Sequence, residues 1–357
     1  MNLENVGWNE SFEEEFNPLQ KRGFLPMRIT RENKSNYEAT DGERSIECVI
    51  SGKFRFSLKS KSEYPAVGDW VGVSTIKNGT KGVIRHVMSR QSMFSRKVAG
   101  ETTEEQVVAA NIDTVFIVVG LDENFNLRRI ERYLSVANES GATPVVILNK
   151  SDICPNVEEL EASVRKVSKD VPVHALSAHQ AESLEVLDQY IQPGKTVAFL
   201  GSSGVGKSSI INALRGTDEI EVKEVSSLGS RGAHTTTHRE LIQLPEKGMV
   251  IDTPGMRELQ VWGDDAGLKQ AFDDVEQLAR DCHYKDCAHD GEPGCAVAQA
   301  IESGQLDAAR LQSYNKLKKE YEYISMRQTM TPDAIEKKRW KEIRKFAKKI
   351  NKDKYGR

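Results

Sequence analysis

The segment GSSGVGKS at residues 201–208 is the strongest indication of the fold in this sequence. It fits the pattern G-x-x-x-x-G-K-[ST], between an apolar run at 196–200 and a helical pattern that opens at Ser208. A strand, a glycine-rich turn and a helix in this order form a phosphate-binding loop, in which backbone N–H groups surround phosphate oxygens. A chance glycine-rich turn is the alternative, and the flanking strand and helix argue against it. The residues predicted to contact nucleotide here are Gly201, Ser202, Ser203, Gly204, Val205, Gly206, Lys207, Ser208 and Ser209.

Around this loop, residues 106–275 alternate apolar runs with helical patterns. Continuous apolar runs are typical of strands buried on both faces of a parallel sheet, and they occur at 115–119, 145–148, 197–200 and 249–251. Helical patterns lie near 127–139, 156–169 and 207–215. The alternation predicts a doubly wound α/β domain that binds its ligand at the carboxyl ends of the strands. There we expect Lys207 to reach the β- and γ-phosphates and Ser208 to bind Mg²⁺.

A second motif, N-K-x-D at residues 149–152, follows the apolar run 145–148. The carboxylate of Asp152 can accept hydrogen bonds from the ring N–H and the exocyclic amine of guanine, a pair that adenine does not offer, and sites built on such bonds reject the wrong base strongly. The stem of Lys150 can lie over the base, and a backbone N–H near Ser177 can reach the guanine carbonyl. An alternative role for Asp152 is the N-cap of the next helix. The predicted base contacts are Asn149, Lys150, Asp152, Ser177 and Ala178.

Two candidate switch segments follow the phosphate loop, HTTTH at 234–238 and DTPG at 252–255. Asp252 is expected to hold a Mg²⁺-bound water, and the N–H of Gly255 to face the γ-phosphate. One threonine of the first segment is expected to bind Mg²⁺ and the γ-phosphate when GTP is present. The candidates for that role are Thr235, Thr236 and Thr237.

The order of these motifs is unusual. In ordinary small GTPases the phosphate loop comes first, and the N-K-x-D and Ser-Ala elements come last. Here residues 149–152 and 177–178 precede residues 201–208, 235–237 and 252–255. This order predicts a circular permutation, which preserves the site in three dimensions and makes the D-x-x-G segment lead directly into the C-terminal region.

The composition of the chain argues against several other classes of protein. Hydrophobic residues make up 38% of the 357 residues and charged residues 29%, which argues against a disordered chain. No apolar run approaches the roughly 18 residues of a membrane-spanning helix. The first residues lack the basic and apolar regions of a signal peptide, so we expect a cytoplasmic protein without membrane contact. Five cysteines, an odd number, argue against a disulfide framework.

The region before the α/β domain is expected to be a small β-barrel. Residues 1–24 form an acidic, partly helical extension, and residues 25–105 show short apolar runs between turn residues. We predict strands at 46–50, 54–58 and 69–73 and a closed barrel of about five strands. Residues 25–97 contain 14 Lys/Arg and 7 Asp/Glu, a local charge of +7. This charge favours contact with RNA, and the alternative is an ordinary solvated surface.

The C-terminal region, residues 276–357, contains a cluster of metal-binding residue types. Three thiols and one imidazole suit a closed, tetrahedral, structural zinc site, with one ion expected from Cys282, Cys287, His289 and Cys295. His283 is a rival ligand, and redox-active thiols are the alternative function. Residues 314–357 contain 15 Lys/Arg and 6 Asp/Glu, in amphipathic helical patterns at 311–324 and 335–350. Apolar faces of this kind usually pack, and the basic faces favour contact with RNA phosphates.

On these motifs, and on PAVGDWV at 65–71 and QVVAANID at 106–113, the chain resembles the circularly permuted GTPases of the ribosome small-subunit-dependent GTPase A family. The resemblance covers nearly the whole chain. It implies an OB-fold barrel at 25–105, a permuted GTPase domain at 106–275 and a zinc-binding domain with a basic tail at 276–357. It also implies binding of GTP or GDP, a role late in 30S subunit maturation through rRNA contacts, and GTP hydrolysis stimulated by that subunit.

The same resemblance favours His289 over His283 as the zinc ligand. Nothing in the sequence requires an oligomer, so a monomer is expected. A phosphate-loop ATPase and a non-catalytic RNA-binding scaffold are the rival functions. The N-K-x-D motif argues against the ATPase. Met256 leaves the non-catalytic scaffold as an alternative. Many GTPases have a water-orienting Gln at this position after the D-x-x-G glycine, whereas Met forms no strong hydrogen bond.

His234 is the internal candidate to orient the attacking water. The alternative is that it packs or contacts RNA. We predict that His234→Ala abolishes subunit-stimulated GTP turnover and leaves GTP affinity near normal, because the imidazole acts only when the switch closes over the phosphate. Steady-state hydrolysis with small subunits, alongside a GTP-binding titration, checks this. Unchanged stimulated turnover would contradict a catalytic role.

Overall fold

The structure, a computed structural model, describes residues 2–76, 79–97, 104–216, 239–252, 265–338, 340, 341 and 344. Its strands are β1 (Leu25–Glu32), β2 (Tyr37–Thr40), β3 (Ser45–Ile50), β4 (Trp70–Ile76), β5 (Lys81–Val87), β6 (Met93–Lys97), β7 (Glu105–Ala110), β8 (Thr114–Gly120), β9 (Thr143–Asn149), β10 (Val173–Ala175), β11 (Thr196–Leu200), β12 (Arg239–Gln243) and β13 (Met249–Asp252). Its helices are α1 (Glu10–Gln20), α2 (Gly52–Ser57), α3 (Leu127–Ser140), α4 (Val157–Ser168), α5 (Ala181–Leu184), α6 (Lys207–Arg215), α7 (Ala266–Ala271), α8 (Asp273–Arg280), α9 (Ala296–Glu302) and α10 (Ala308–Thr329).

The predicted doubly wound α/β domain is confirmed. Five strands pair in parallel in the order β10-β9-β8-β11-β13, and β12 adds antiparallel to β13. All seven residues of β8 are buried, as expected for a strand covered on both faces. Helices α3, α4 and α6 fall where the 3.6-residue periodicity places them.

The predicted five-strand barrel is also confirmed. Strands β1, β2, β3, β5 and β4 pair in that order, and β4 returns to β1 from Leu25 opposite Val73 to Arg28 opposite Trp70. Strand β3 is parallel to β5, and the other pairs are antiparallel. Buried side chains from all five strands, including Ile29, Ala39, Cys48, Val73 and Ile84, form the barrel core.

The strand predicted at 54–58 is wrong, because this segment forms helix α2. The side chain of Ser51 accepts a hydrogen bond from the N–H of Phe54 at 3.1 Å and caps the helix. The alternation of Phe54 and Phe56 resembles a half-buried strand. In a helix, however, residues two apart face different directions, so only Phe54 packs against the barrel core.

The acidic N-terminal extension packs on the barrel through an aromatic cluster. Asn9 caps α1, and the buried Phe12 and Phe16 lie beside Trp8. The ring of Trp8 meets that of Trp70 edge to face at 4.7 Å between centroids. Trp70 is fully buried, so this extension completes the core where the barrel meets the α/β domain.

The barrel and the α/β sheet form one continuous eleven-stranded sheet. Strand β1 pairs antiparallel with β12 at Arg31 opposite Glu240 and Glu32 opposite Arg239. The two positions form crossed ion pairs, Arg31 with Glu240 and Arg239 with Glu32.

Arg28 joins three parts of the chain at this junction. Its buried guanidinium donates to the carbonyl oxygens of Val6 at 2.7 Å, Gly68 at 3.1 Å and Asn111 at 2.8 Å. Burial lowers the pKa of Arg28 to about 10, against the opposing effect of nearby carboxylates, so the group stays charged at neutral pH.

The C-terminal helices dock on α3. Arg310 of α10 contacts Asp274 of α8 at 2.5 Å and the buried Glu131 of α3 at 3.0 Å, and it lies over the ring of Phe272. Arg132 of α3 pairs with both carboxylate oxygens of Glu320 on α10 at 2.5 and 2.7 Å. Among the described helices, none combines the length and low polarity needed to cross a bilayer.

We predict that Arg28→Met lowers the free energy of unfolding by about 2 kcal/mol or more, because the buried carbonyl oxygens of Val6 and Asn111 lose a donor at about 1–3 kcal/mol each. The oxygen of Gly68 keeps its bond from the Asn111 side chain. Chemical denaturation measures the change. Arg85→Met is the matched control, since Arg85 is exposed and, among the described residues, its side chain bonds only to Ser74. Equal stability of the two variants would contradict a junction held by Arg28.

Candidate functional site

The phosphate-binding loop joins β11 to α6 at the carboxyl edge of the parallel sheet. The Lys207 ammonium lies within the loop and donates to the carbonyl oxygens of Gly201 at 2.7 Å and Ser202 at 2.6 Å. The loop is pressed against the sheet, because a Cβ on Gly201 would lie 2.3 Å from the carbonyl oxygen of Val118 in β8. Ser208 and Ser209 occupy the first turn of α6, where backbone N–H groups lack helical partners.

Asn149 connects this loop to the two segments predicted to bind the base. Its side-chain amide is 2% exposed, donates to the carbonyl oxygen of Val205 at 2.8 Å and accepts from the N–H of Ala178 at 3.0 Å. Gly206 has φ +95°, and a Cβ there would lie 2.1 Å from the Asn149 amide nitrogen. The second glycine of the motif is therefore required by the close approach of Asn149 as well as by its backbone conformation.

The predicted base-binding residues lie together around Asn149. Lys150 adopts a left-handed conformation with φ +69° and starts the turn that contains the exposed Asp152. The N–H of Ser151 donates to the carbonyl oxygen of Leu176, which places this turn beside the segment with Ser177 and Ala178. The alternative role of Asp152 as a helix N-cap is wrong, because α4 begins at Val157 with Asn156 at the N-cap position.

Ser177 is fully buried and shapes the second base segment. Its N–H and its carbonyl oxygen both bond to the hydroxyl of Ser183, and its own hydroxyl accepts from the N–H of His179 at 3.2 Å. These bonds fix the turn that presents Ala178 to Asn149. Ser177 therefore acts on the site through backbone geometry.

Asp122 belongs to the site and was not foreseen from the sequence. Its carboxylate contacts the Lys150 ammonium at 2.6 Å and accepts from the N–H of Asn124 at 3.0 Å. Burial raises the pKa of Asp122, but the bonds from Lys150 and Asn124 outweigh this effect and hold the pKa below its usual value. A carboxylate two residues beyond β8, the neighbour of β9, is the signal that could have identified it.

Tyr133 is a second unforeseen contact. Its hydroxyl lies 3.3 Å from the hydroxyl of Ser202 in the phosphate loop. Tyr133 lies on α3, the helix on which α7 and α10 dock, so the loop and the C-terminal helices share this support. The periodicity of α3 identifies Tyr133 only as a core residue.

The candidate switch segments are described only at their edges. Asp252 ends β13 and is half-buried. The remaining predicted contacts, His234, Thr235, Thr236, Thr237 and Gly255, lie outside the described residues, as does Met256.

The cysteine cluster forms a compact candidate metal centre. The donor atoms of Cys282, Cys287, His289 and Cys295 all lie within 4.8 Å of one another. The Cys282 sulfur is 3.9 Å from that of Cys295 and 3.6 Å from Nδ1 of His289. These three thiols and one imidazole are placed to hold one metal ion.

Neighbouring groups support this cluster. The N–H of Ala298 donates to the Cys295 sulfur at 3.3 Å. Burial raises the pKa of Cys282, but N–H groups at the start of α9 outweigh it and lower the pKa of this thiol. The Glu292 carboxylate accepts from the N–H groups of Ala288 and Asp290 and so holds the turn around His289. His283 lies outside the four-residue cluster.

Comparison with known proteins agrees with this geometry. A family model described as RsgA GTPase matches residues 87–262. A protein of Opitutus terrae, named small ribosomal subunit biogenesis GTPase RsgA, is 43% identical over 352 residues, which cover 96% of each chain. The chain belongs to the RsgA GTPase family. A relative with the same name from Syntrophotalea carbinolica is 37% identical over 98% of both chains.

The fold of this chain is also similar to that of solved structures. The crystal structure of YjeQ from Thermotoga maritima matches with a TM-score of 0.61 and 26% identity, covering 84% of this chain and 98% of that one. The structure of YloQ, described as a circularly permuted GTPase, matches with a TM-score of 0.60 and 24% identity over 84% of this chain and 95% of that one. The resemblance inferred from the motifs and the predicted fold class are confirmed.

Asp122 gives a test of the base site. We predict that Asp122→Ala raises the Kd for GDP about tenfold, because the Lys150 ammonium loses a charge-assisted bond of about 1.4 kcal/mol that fixes its stem. Titration with a fluorescent GDP analogue measures this. Glu123→Ala is the control, since Glu123 is the adjacent, exposed carboxylate. Equal Kd values for the two variants would show that Asp122 does not position Lys150.

Proposed function

We propose that this chain is a GTPase that binds the small ribosomal subunit and acts late in its maturation. The observation that carries this proposal is the Asn149 amide, which holds the phosphate loop and the base segments together at one sheet edge. A site of this form accepts a guanine nucleotide. The names of relatives up to 43% identical supply the ribosomal partner.

Each part of the site has a distinct role in this proposal. Asp152 accepts the two guanine donors, Lys150 covers the base, and the N–H of Ala178, which donates to Asn149, holds the second base segment beside them. Lys207 and the N–H groups of residues 201–209 bind the phosphates. Ser208, Asp252 and one of the threonines at 235–237 would hold Mg²⁺, which neutralises charge on the phosphates when bound. His234 orients the attacking water.

The partner surfaces follow from the distribution of charge. We propose that the basic barrel at 25–105, the metal-binding region and the basic tail in 276–357 contact rRNA phosphates, with residues 106–275 as the GTPase domain. The local charges of +7 at 25–97 and +9 at 314–357 support this assignment. A monomer acting in the cytoplasm fits the same proposal.

The metal in the C-terminal cluster is proposed to be one structural zinc ion. A tetrahedral zinc with Zn–S near 2.3 Å and Zn–N near 2.0–2.1 Å would place two sulfurs about 3.8 Å apart and a sulfur and a nitrogen about 3.5 Å apart. The distances of 3.9 Å between the Cys282 and Cys295 sulfurs, and 3.6 and 3.5 Å from these sulfurs to His289 Nδ1, agree with this geometry. Four protein ligands leave no open position, so the ion supports folding.

Sedimentation with purified subunits tests the proposed function. We expect the full-length protein to co-migrate with 30S subunits in the presence of a non-hydrolysable GTP analogue, more weakly with GDP, and not with 50S subunits. The reason is that the γ-phosphate orders the segments at 235–237 and 252–255. Equal binding to both subunits, or equal binding with both nucleotides, would contradict the proposal.

Metal analysis tests the zinc assignment. We predict about one zinc per chain in the purified protein, because Cys₃His sites are closed. His289→Ala should lose zinc on dialysis against a chelator, whereas the control His283→Ala should retain it. Zinc retained by His289→Ala, or lost equally by both variants, would refute this ligand set.

A further inference from the structure

Helix α2 leaves an aromatic side chain in solvent. Phe56 is 94% exposed, and no residue of α2 is buried. Phenylalanine is among the residue types most often buried, so a ring this exposed marks an interaction site when its surroundings agree. The Ser51 cap and the packing of Phe54 on the barrel core fix the helix that carries it.

The segment around Phe56 carries positive charge. Lys53, Arg55 and Lys59 are exposed, and none of them forms an ion pair with a carboxylate in the part of the chain that the structure describes. The nearest acidic residue in sequence, Glu63, instead accepts from the N–H of Lys59 at 3.0 Å. Phe56 therefore belongs to a segment with three exposed cations, for which the described residues show no ion pair.

Another side of the barrel is unsuited to a polyanion. Helix α1 covers it near Gly72, where a Cβ would lie 3.4 Å from Leu19 and 3.7 Å from Phe16. The outward face of α1 exposes Glu10, Glu13 and Glu14. Since these carboxylates repel phosphates, electrostatics directs a nucleic acid towards α2.

We propose that Phe56 is a stacking platform for an unpaired RNA base, and that Lys53, Arg55 and Lys59 bind the flanking phosphates. Single-stranded nucleic acids are bound by this combination of aromatic rings and cations. Paired RNA hides its base faces, so the site selects loops, bulges or ends. A protein partner is disfavoured because the patch has one large apolar side chain among three cations. The choice of RNA rests on the proposed function, which supplies an rRNA partner.

Fluorescence anisotropy with a labelled single-stranded oligouridylate tests this in the full-length protein. Phe56→Ala and Phe56→Leu should each raise the Kd about tenfold, because base stacking on one ring is worth about 1–3 kcal/mol. Phe56→Trp should keep the affinity, and its added emission should be quenched by the oligonucleotide. Ile76→Ala is the control, since it removes another exposed apolar side chain of the barrel.

The possible outcomes distinguish a failure of the stacking site from a failure of the proposed function. Wild-type affinity in Phe56→Ala, or weakening by Phe56→Ala but not by Phe56→Leu, overturns stacking. Unchanged oligouridylate binding with weaker 30S binding assigns the ring to a protein contact and also overturns it. If the wild type sediments with neither subunit while Phe56 still governs oligouridylate affinity, the proposed function fails and the stacking site stands. GDP binding by each variant confirms that it is folded.

Discussion

One buried amide makes the two hydrogen bonds that hold the candidate nucleotide site together. Asn149 bonds to Val205 in the phosphate loop and to Ala178 in the second segment predicted to bind the base, although these residues lie 56 and 29 positions away in the sequence. Gly206 has no side chain because the amide occupies that space. Such contacts depend on position in space and not on the order of segments along the chain. A permuted chain therefore preserves the site.

The permutation changes which parts of the chain follow the two candidate switch segments. Strand β12 begins one residue after the segment 234–238 and pairs with barrel strand β1, reinforced by the crossed pairs of Arg31 with Glu240 and Arg239 with Glu32. Beyond the D-x-x-G segment, α7 packs so closely on α3 that a Cβ on Gly267 would lie 2.5 Å from the carbonyl oxygen of Ser135. The first candidate switch segment thus leads directly into the strand that contacts the barrel, and the second precedes by ten residues the helix that packs on α3.

Helices, strands and loops that depend on neighbouring residues could be predicted from the sequence. Contacts between residues far apart in the sequence could not. The phosphate loop, the buried strands and the helix at 207–215 follow from glycine spacing and periodicity. Segment 54–58 forms a helix although its two alternating phenylalanines are typical of a half-buried strand. Asp122, Tyr133 and Arg28 have no local signature, since their partners come from distant strands and helices. The metal cluster was predictable because its donors lie within fourteen residues.

Steady-state GTP hydrolysis with and without purified 30S subunits tests whether this chain is a GTPase activated by the small subunit. We expect slow turnover by the protein alone, because no Gln follows the D-x-x-G glycine, and a large stimulation by the small subunit. Turnover that stays at the basal rate with saturating 30S subunits, while GTP binding is intact, would contradict this expectation. That result would instead favour a scaffold that uses GTP as a structural ligand.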